Sequence, residues 1–416
     1  MASELREALT RAAAPVEIGP DDRHRVSDAI AADRRRRITM AAVGGTIAAV
    51  VAIGVGVAVV DGGRADDRPG VTDRGKATSG WERVAASPLA PRDQAVAVWT
   101  GSEVIVVGGT TGRPCSPDAD CAPPPKSAER ADGAAYDPAT ETWREIAPAP
   151  AAVAGGHALW WDDRMIVVSD RLTLAYDPAA DQWQRLDLHP SGLYEGGLVG
   201  TDEGPVAFSY DQRPRADDVS DWRLDLATGE WSALPHDPFA ESYDRSMAWH
   251  EDRLWLLSMD VEHHFGAHEG SPSRIAVLDG DTWTVVDEET PDLTYGQRLV
   301  QHQGSFVIAP GSYRSDFASH AFDPETGEWR TLPGSGGAER GCPLGDAIVG
   351  PAWVASGNGL YSASPADALA APPCPGMPAP AVTVWAGDRL FIWGGPNPDY
   401  DGNLDDGWVW TPPPPE

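Results

Sequence analysis

The chain has 416 residues, with 63 acidic against 32 basic side chains and a formal net charge of -31. Phosphate neutralisation needs clustered Lys and Arg, so a nucleic-acid partner is excluded. A hydrophobic fraction of 42% with 17 Trp excludes disorder for most of the chain; 44 Gly and 38 Pro without a Gly-X-Y period point to a turn-rich β protein.

In chain order, residues 1–37 come first. Leu5, Leu9 and Ala12 recur there at helical spacing until Pro15 ends the pattern. This tail reads either as a topology-setting head or as a docking segment for a cytoplasmic regulator such as a sigma factor. Ile38 to Val60 follow, 23 consecutive residues without a charge. At 1.5 Å per residue they span about 34 Å, enough to cross a hydrocarbon core of about 30 Å. A cleaved signal peptide has a shorter apolar region behind a short basic head. Here the head is 37 residues long and no A-x-A site follows, so a retained signal anchor is expected. Arg34 to Arg37 abut one end of the run, and Asp61, Asp66 and Asp67 follow the other. The positive-inside rule then places the N-terminus in the cytoplasm and everything after Val60 outside. The expected organisation is a cytoplasmic tail at 1–37, a transmembrane anchor at 38–60, a hydrophilic linker at 61–79 and an extracytoplasmic domain at 80–416. The protein is thereby expected at the cell membrane as a single-pass chain.

Four cysteines, Cys115, Cys121, Cys342 and Cys374, all lie on the outer side of that anchor. An even count in an oxidising compartment predicts disulfides. Of the three connectivities, Cys115–Cys121 with Cys342–Cys374 is expected, because each pair then falls within one repeat. No C-x-x-C occurs to support zinc ligation.

The repeat emerges when tryptophans are aligned: Tyr136 to Trp143, Tyr176 to Trp183, Leu224 to Trp231, Leu278 to Trp283 and Phe322 to Trp329. Each reads as a strand end, an Asp-led turn (Asp-Pro in three) and a strand opened by Trp. Successive Trp are 40, 48, 52 and 46 residues apart. Apolar hairpins occupy 94–109, 156–169, 197–209, 245–258, 298–310, 351–364 and 381–395, with Gly, Asp and Glu at their turns. Four short strands repeated seven times predict an all-β, seven-bladed β-propeller, with six blades as the alternative. The last repeat ends after its third strand, while Trp81 opens an orphan strand near the start. Joining them makes a composite blade and removes the exposed edges of an open ring.

Arg92, Gly108-Gly109 and the segment Tyr136 to Trp143 resemble the kelch repeat, and Gly394-Gly395 repeats the double glycine. The resemblance covers about residues 80–416 and rests on the repetition. It implies a kelch-type propeller, a fold that hosts galactose-oxidase-like enzymes as well as binding modules, so fold does not decide function. The copper of those oxidases is held by two Tyr and two His, one pair adjacent. No Tyr-His dipeptide occurs here, and the cysteine they cross-link would come from an expected disulfide. Copper is not expected.

Two clusters can bind other cations. His263, His264 and His268, beside Asp260 and Glu262, carry imidazoles suited to Zn or Cu. Asp399, Asp401, Asn403 and Asp405 alternate oxygen donors as calcium requires, although Gly402 does not stand where an EF-hand needs it. A solvated loop and an acidic surface turn are the competing readings.

Long insertions fall at 110–133, 211–219, 259–273 and 396–406, all between second and third strands, and loops longer than about a dozen residues are usually functional or disordered. They carry Asp118, Asp120, Asp211, Asp217, Asp218, Asp260, Glu262, Asp399, Asp401, Asp405 and Asp406. Innermost strands begin on that same face, placing Arg92, His157, Glu195, Asp244, Arg245 and Arg298 around the channel mouth. The expected function is a binding module at the cell envelope, for an extracellular protein, a glycan or a cation. A carbohydrate-active or oxidase-like enzyme is the alternative, since mixed charges around a pocket can do acid–base work.

Overall fold

The computed structural model describes residues 80–415 apart from 118, 170, 191–195, 211–220, 240–241, 261–272, 288–289, 292–295, 310–318, 334–340, 346–347 and 358. The tail at 1–37, the apolar run at 38–60 and the linker at 61–79 lie outside these residues. No helix among the described residues is long and apolar enough to cross a membrane. Cys115–Cys121 forms a small separate unit closed by its own disulfide.

Seven four-stranded antiparallel sheets make up the rest. Blade one is β2 (Asp93–Trp99), β3 (Val104–Thr110), β4 (Gly133–Asp137) and β5 (Thr142–Ile146). Blade two is β6 (His157–Trp161), β7 (Arg164–Val168), β8 (Thr173–Asp177) and β9 (Gln182–Leu186). Blade three is β10 (Gly196–Thr201), β11 (Gly204–Ser209), β12 (Trp222–Leu224) and β13 (Trp231–Ala233). Blade four is β14 (Ser242–His250), β15 (Arg253–Asp260), β16 (Ser273–Asp279) and β17 (Thr282–Asp287). Blade five is β18 (Arg298–His302), β19 (Ser305–Ala309), β20 (His320–Phe322) and β21 (Trp329–Thr331). Blade six is β22 (Ile348–Val349), β23 (Val354–Ser356), β24 (Gly359–Ala363) and β25 (Ala366–Ala370). Blade seven takes β26 (Val382–Ala386), β27 (Arg389–Pro396) and β28 (Asn403–Trp410), and its outer strand is β1 (Glu82–Arg83). Glu82 pairs with Val409 and Arg83 with Trp408, so the composite blade forms as expected and the count is seven.

The repeat motif is a hairpin whose first and last residues face each other. Tyr136 opposes Trp143, Tyr176 opposes Trp183, Leu224 opposes Trp231, Leu278 opposes Trp283 and Phe322 opposes Trp329. Three of these are aromatic pairs and two set Leu against Trp; cross-strand pairs of this kind add about 0.2–1 kcal/mol each. The turn Asp folds the chain by accepting two amides: Asp137 from Ala139 and Thr140, and Asp323 from Glu325 and Thr326. Those backbone bonds hold both carboxyls below the usual carboxylate range.

A second periodicity ties blade to blade. Trp143 donates its indole N–H to Ala85 O, Trp183 to Ala147 O, Trp231 to Asp187 O and Trp283 to Pro235 O. Each acceptor lies four residues beyond the preceding repeat's Trp, and Trp81 takes its place in that series through Ala85. Seven apolar layers, one between each pair of neighbouring blades, form the core. Second strands lie between two such layers, so β3 and β7 read as almost uninterrupted apolar runs. The double glycine marks a close crossing with the connection into the next blade. Gly109, at φ 92°, donates its amide to Val153 O, and a Cβ there would stand 2.6 Å from Asp93 O.

Blade six departs from the sequence reading. The hairpin at 351–364 was expected to supply its first two strands, but β23 and β24 are its second and third. The first strand is the two-residue β22, joined to β23 through Gly350, Pro351, Ala352 and a fully buried Trp353, and two residues are too few to show an apolar alternation. Consequently the turn around Gly357 lies on the face where innermost strands begin. Blade six also lacks the Trp of the outer strand. Instead Cys342, before β22, is bonded to Cys374, after β25, and Cys342 N donates to Pro372 O. Both disulfides pair as expected, and no described cysteine is free. Replacing Cys342 and Cys374 together by Ser is expected to cost about 3–4 kcal/mol, the loop-closure entropy of a ring of this size. Denaturant unfolding of wild type and variant measures it.

Candidate ligand-binding channel

The seven innermost strands β2, β6, β10, β14, β18, β22 and β26 follow one another around a cavity of about 610 Å3. Its walls are the heads of these strands, so it opens on the face of the second-to-third turns and the inter-blade connections. Small residues there (Ala95, Ala97, Gly156, Ala158, Gly197 and Ala381) keep side chains off the axis. Among the described residues the polar side chains lining it are His157, Tyr210, Ser246, Arg298 and Thr383.

Arg298 opens β18. Its guanidinium lies 4.4 Å from the centre of the Tyr210 ring, and Nη1 donates to Asp244 Oδ1 at 3.1 Å and to Gln297 O at 3.2 Å. Stacking on an aromatic face and ion pairing together fix the plane of the guanidinium. Asp244 has its backbone at φ 52° and also accepts the Gly296 amide. Ser246 Oγ accepts the Leu299 amide, joining β14 to β18. His157 opens β6 and is half-buried in the wall.

The six residues expected around the mouth thus separate. His157 and Arg298 line the cavity, Asp244 backs Arg298, and Glu195 lies outside the described residues. Arg92 and Arg245 do not reach the lining. Arg92 is fully buried, donating to Gly108 O at 3.0 Å and to both oxygens of Asp132 at 2.8 and 2.9 Å. These bonds from Arg92 hold the Asp132 carboxyl below its usual range. Arg245, also fully buried, donates to Ser209 O, to both oxygens of Asp221 and to Asp237. Both arginines therefore brace the ring. A sequence signal for this existed: an Asp directly precedes β4 and stands just before β12, at Asp132 and Asp221.

Nor do the calcium candidates converge. Asp401 accepts the Asn397 side-chain amide at 2.6 Å, and Asn403 donates to Thr110 O and Gly112 O at 3.3 and 2.8 Å. Asp405 lies in β28, where its carbonyl accepts the Trp393 indole. These residues, with Arg113 Nε donating to Tyr400 O, stitch a loop of blade seven to one of blade one. Among the described residues no three His, Cys, Asp or Glu side chains gather as a metal site. His263, His264 and His268 lie outside the described residues, as do Glu262, Asp118, Asp211, Asp217 and Asp218.

Sequence reasoning placed the acidity on long loops and missed the opposite face. There the short turns carry Asp162, Asp163, Asp202, Glu203, Glu251, Asp252 and Asp388. Asp202 and Asp252, from neighbouring blades, share a hydrogen bond that raises the Asp252 pKa. The Arg partners on this face are local: Arg144 pairs with Glu103, and Arg223 with Glu203. The signal was present in the turns DDR, DEG and EDR.

His189, in the connection after β9, is buried and packs edge-on against Trp231 at 4.8 Å. Burial lowers its pKa to about 4, against the attraction of Asp221. The folded protein therefore keeps His189 neutral while the unfolded chain takes a proton near pH 6.5, so stability is lost as pH falls from 6.5 to 4. The loss amounts to about 3 kcal/mol. His189→Phe keeps the ring contact and is expected to abolish this part of the acid dependence, read as unfolding midpoints across that window. An unchanged slope would assign the dependence elsewhere.

Fold and cavity together define a seven-bladed β-propeller with an axial pocket of ligand size. No protein-family model and no curated protein matches the chain. The solved structure of YjhT is similar to it, with 12% identity over 79% of this chain and 97% of that one, at a TM-score of 0.43.

Proposed function

We propose that this chain is a kelch-type propeller anchored in the cell membrane, which binds an extracytoplasmic ligand in its axial channel. The cavity of about 610 Å3 at the heads of the innermost strands carries the reading, because it has the volume of a small-molecule site and small residues keep its axis open. Location outside the cytoplasm is supported by two disulfides that use all four cysteines, which fits an oxidising compartment, and by the 23-residue apolar run behind Arg34 to Arg37. The double-glycine crossings and the aromatic–Asp–Trp hairpins support the kelch reading. On this account residues 1–37 remain in the cytoplasm, within reach of a regulator there.

Two measurements test it. Protease added to intact spheroplasts should digest the propeller, and a protected domain would reverse the orientation. Thermal-shift screening of envelope metabolites, glycans and peptides should yield ligands that stabilise wild type. Thr383→Trp, which places an indole in the channel from a half-buried wall position, should abolish that stabilisation. Ligands that stabilise Thr383→Trp equally well would move the binding site off the axis.

A further inference from the structure

The loop between β3 and β4 of blade one carries the run Ala122-Pro123-Pro124-Pro125-Lys126. We infer that this run is a docking surface: a preformed polyproline ridge ending in a cation, which fits a protein partner whose groove is lined by aromatic side chains and flanked by a carboxylate. Consecutive prolines leave the backbone little choice. Each ring holds φ at about -65°, and a residue that precedes a proline is driven out of the α region into extended backbone. Ala122, Pro123 and Pro124 all precede a proline. Pro125 ends the run at φ -64° and ψ 145°, the values of a polyproline II helix. A single 3-10 turn, Lys126–Ala128, follows at once, with the Ala128 amide donating to Pro125 O at 2.8 Å.

A helix of this kind has three residues per turn, so one of its edges can be seated while the others face outward. Pro124 is the seated residue: it is half-buried against Gly112, where a Cβ would stand 2.6 Å from the Pro124 Cβ. Pro123, Pro125, Lys126 and Ser127 are exposed. The outer prolines are thus not what holds the loop in place. Because the ridge has its bound shape before a partner arrives, recognition loses little conformational entropy, and proline rings packed on aromatic faces supply the contact.

Charge gives the ridge a direction. Lys126 is one of two lysines in a chain with 63 acidic side chains. The nearest acidic residue along the chain, Glu129, is paired with Arg171, and Arg130 donates to Thr111 Oγ1 at 2.6 Å. The Lys126 ammonium is left to meet a carboxylate of the partner, which fixes the register of the groove on the ridge. The loop shares the face on which the channel opens, and the ridge is complete whether or not a ligand fills that channel.

A photoreactive amino acid in place of Ser127, carried by the full-length protein in intact cells, tests this. It should form an adduct with a protein partner, attached beside aromatic side chains of that partner. In open membranes, where both sides are accessible, a synthetic peptide of residues 122–130 should suppress the adduct and a scrambled peptide should not. The double variant Pro123→Ala, Pro125→Ala should lower the adduct yield about five- to thirtyfold, because a segment freed of two prolines must be ordered on binding. Lys126→Glu should abolish the adduct by setting a like charge against the partner's carboxylate. Neither variant should move the melting midpoint of the propeller, which a purely structural role for these side chains would do. The docking surface is overturned by the absence of any adduct, by one that survives both variants or is untouched by the peptide, or by attachment to a partner segment without aromatic residues. Yields that fall only together with the melting midpoint overturn it as well.

Discussion

Arg245→Met is expected to destabilise the propeller by about 3–5 kcal/mol, the cost of removing one partner from a buried ionic group. Arg245 and Asp237 have side chains with no exposure, and Asp221 has 5%. Without the guanidinium two carboxylates would remain in the interior, deprived of charge-assisted bonds of 2.5 to 2.8 Å. Even with Arg245 present, burial raises the pKa of Asp237, so its ionised form depends on that one cation. The triple variant Arg245→Met, Asp221→Asn, Asp237→Asn should recover much of the loss, because it leaves no unpaired charge. Denaturant midpoints decide between the two. A loss below about 1 kcal/mol for Arg245→Met would mean the group is solvated and free to meet ligand.

The second large effect concerns ring closure. A chain beginning at residue 80 should fold as the full protein does, whereas one beginning at residue 90 should unfold or aggregate. The ten residues between hold Trp81 at 0% and Leu89 at 4% exposure, strand β1, and the Ala85 carbonyl that receives the Trp143 indole. Trp81→Ala alone is expected to cost about 3–5 kcal/mol, the range for emptying a buried Trp site. Its deletion with β1 would also expose the edge of β28 to pairing between molecules. Circular dichroism melts and light scattering of the two truncations report the outcome. Equal melting of both would show that six blades with a frayed end suffice.

How far the sequence revealed this molecule depends on what each residue's role leaves behind as pattern. The hairpins of blades one to five were legible because the opposed positions, such as Tyr136 with Trp143 or Phe322 with Trp329, flank an Asp-led turn, at a separation of seven residues in four blades and five in blade four. Closure by Trp81 was legible because the last repeat stops after its third strand while Trp81 opens an orphan strand near the start, which implied a shared blade. Blade six was misread, since Cys342–Cys374 there stands in for the Trp of the outer strand and β22 is only two residues long. Channel chemistry was the least legible. Arg92, Arg245 and Arg298 all stand near the start of an innermost strand, and strand position alone does not tell a brace from a lining group. What separates them is a third residue far along the chain: Asp132 for Arg92, Asp221 for Arg245, Tyr210 for Arg298. The shape of the cavity depends on small residues from separate blades, which no single repeat displays.

Site-specific photocrosslinking on intact cells tests the central claim most directly, that ligand is bound in the axial channel outside the membrane. A photoreactive amino acid at Leu198, in the channel wall, is compared with one at Asp177, the last residue of β8, at a short turn of the opposite face. The account predicts adducts with an extracytoplasmic ligand at position 198, none at 177, and loss of the first when Thr383→Trp is added. Adducts at 177 that persist with the channel filled would contradict it.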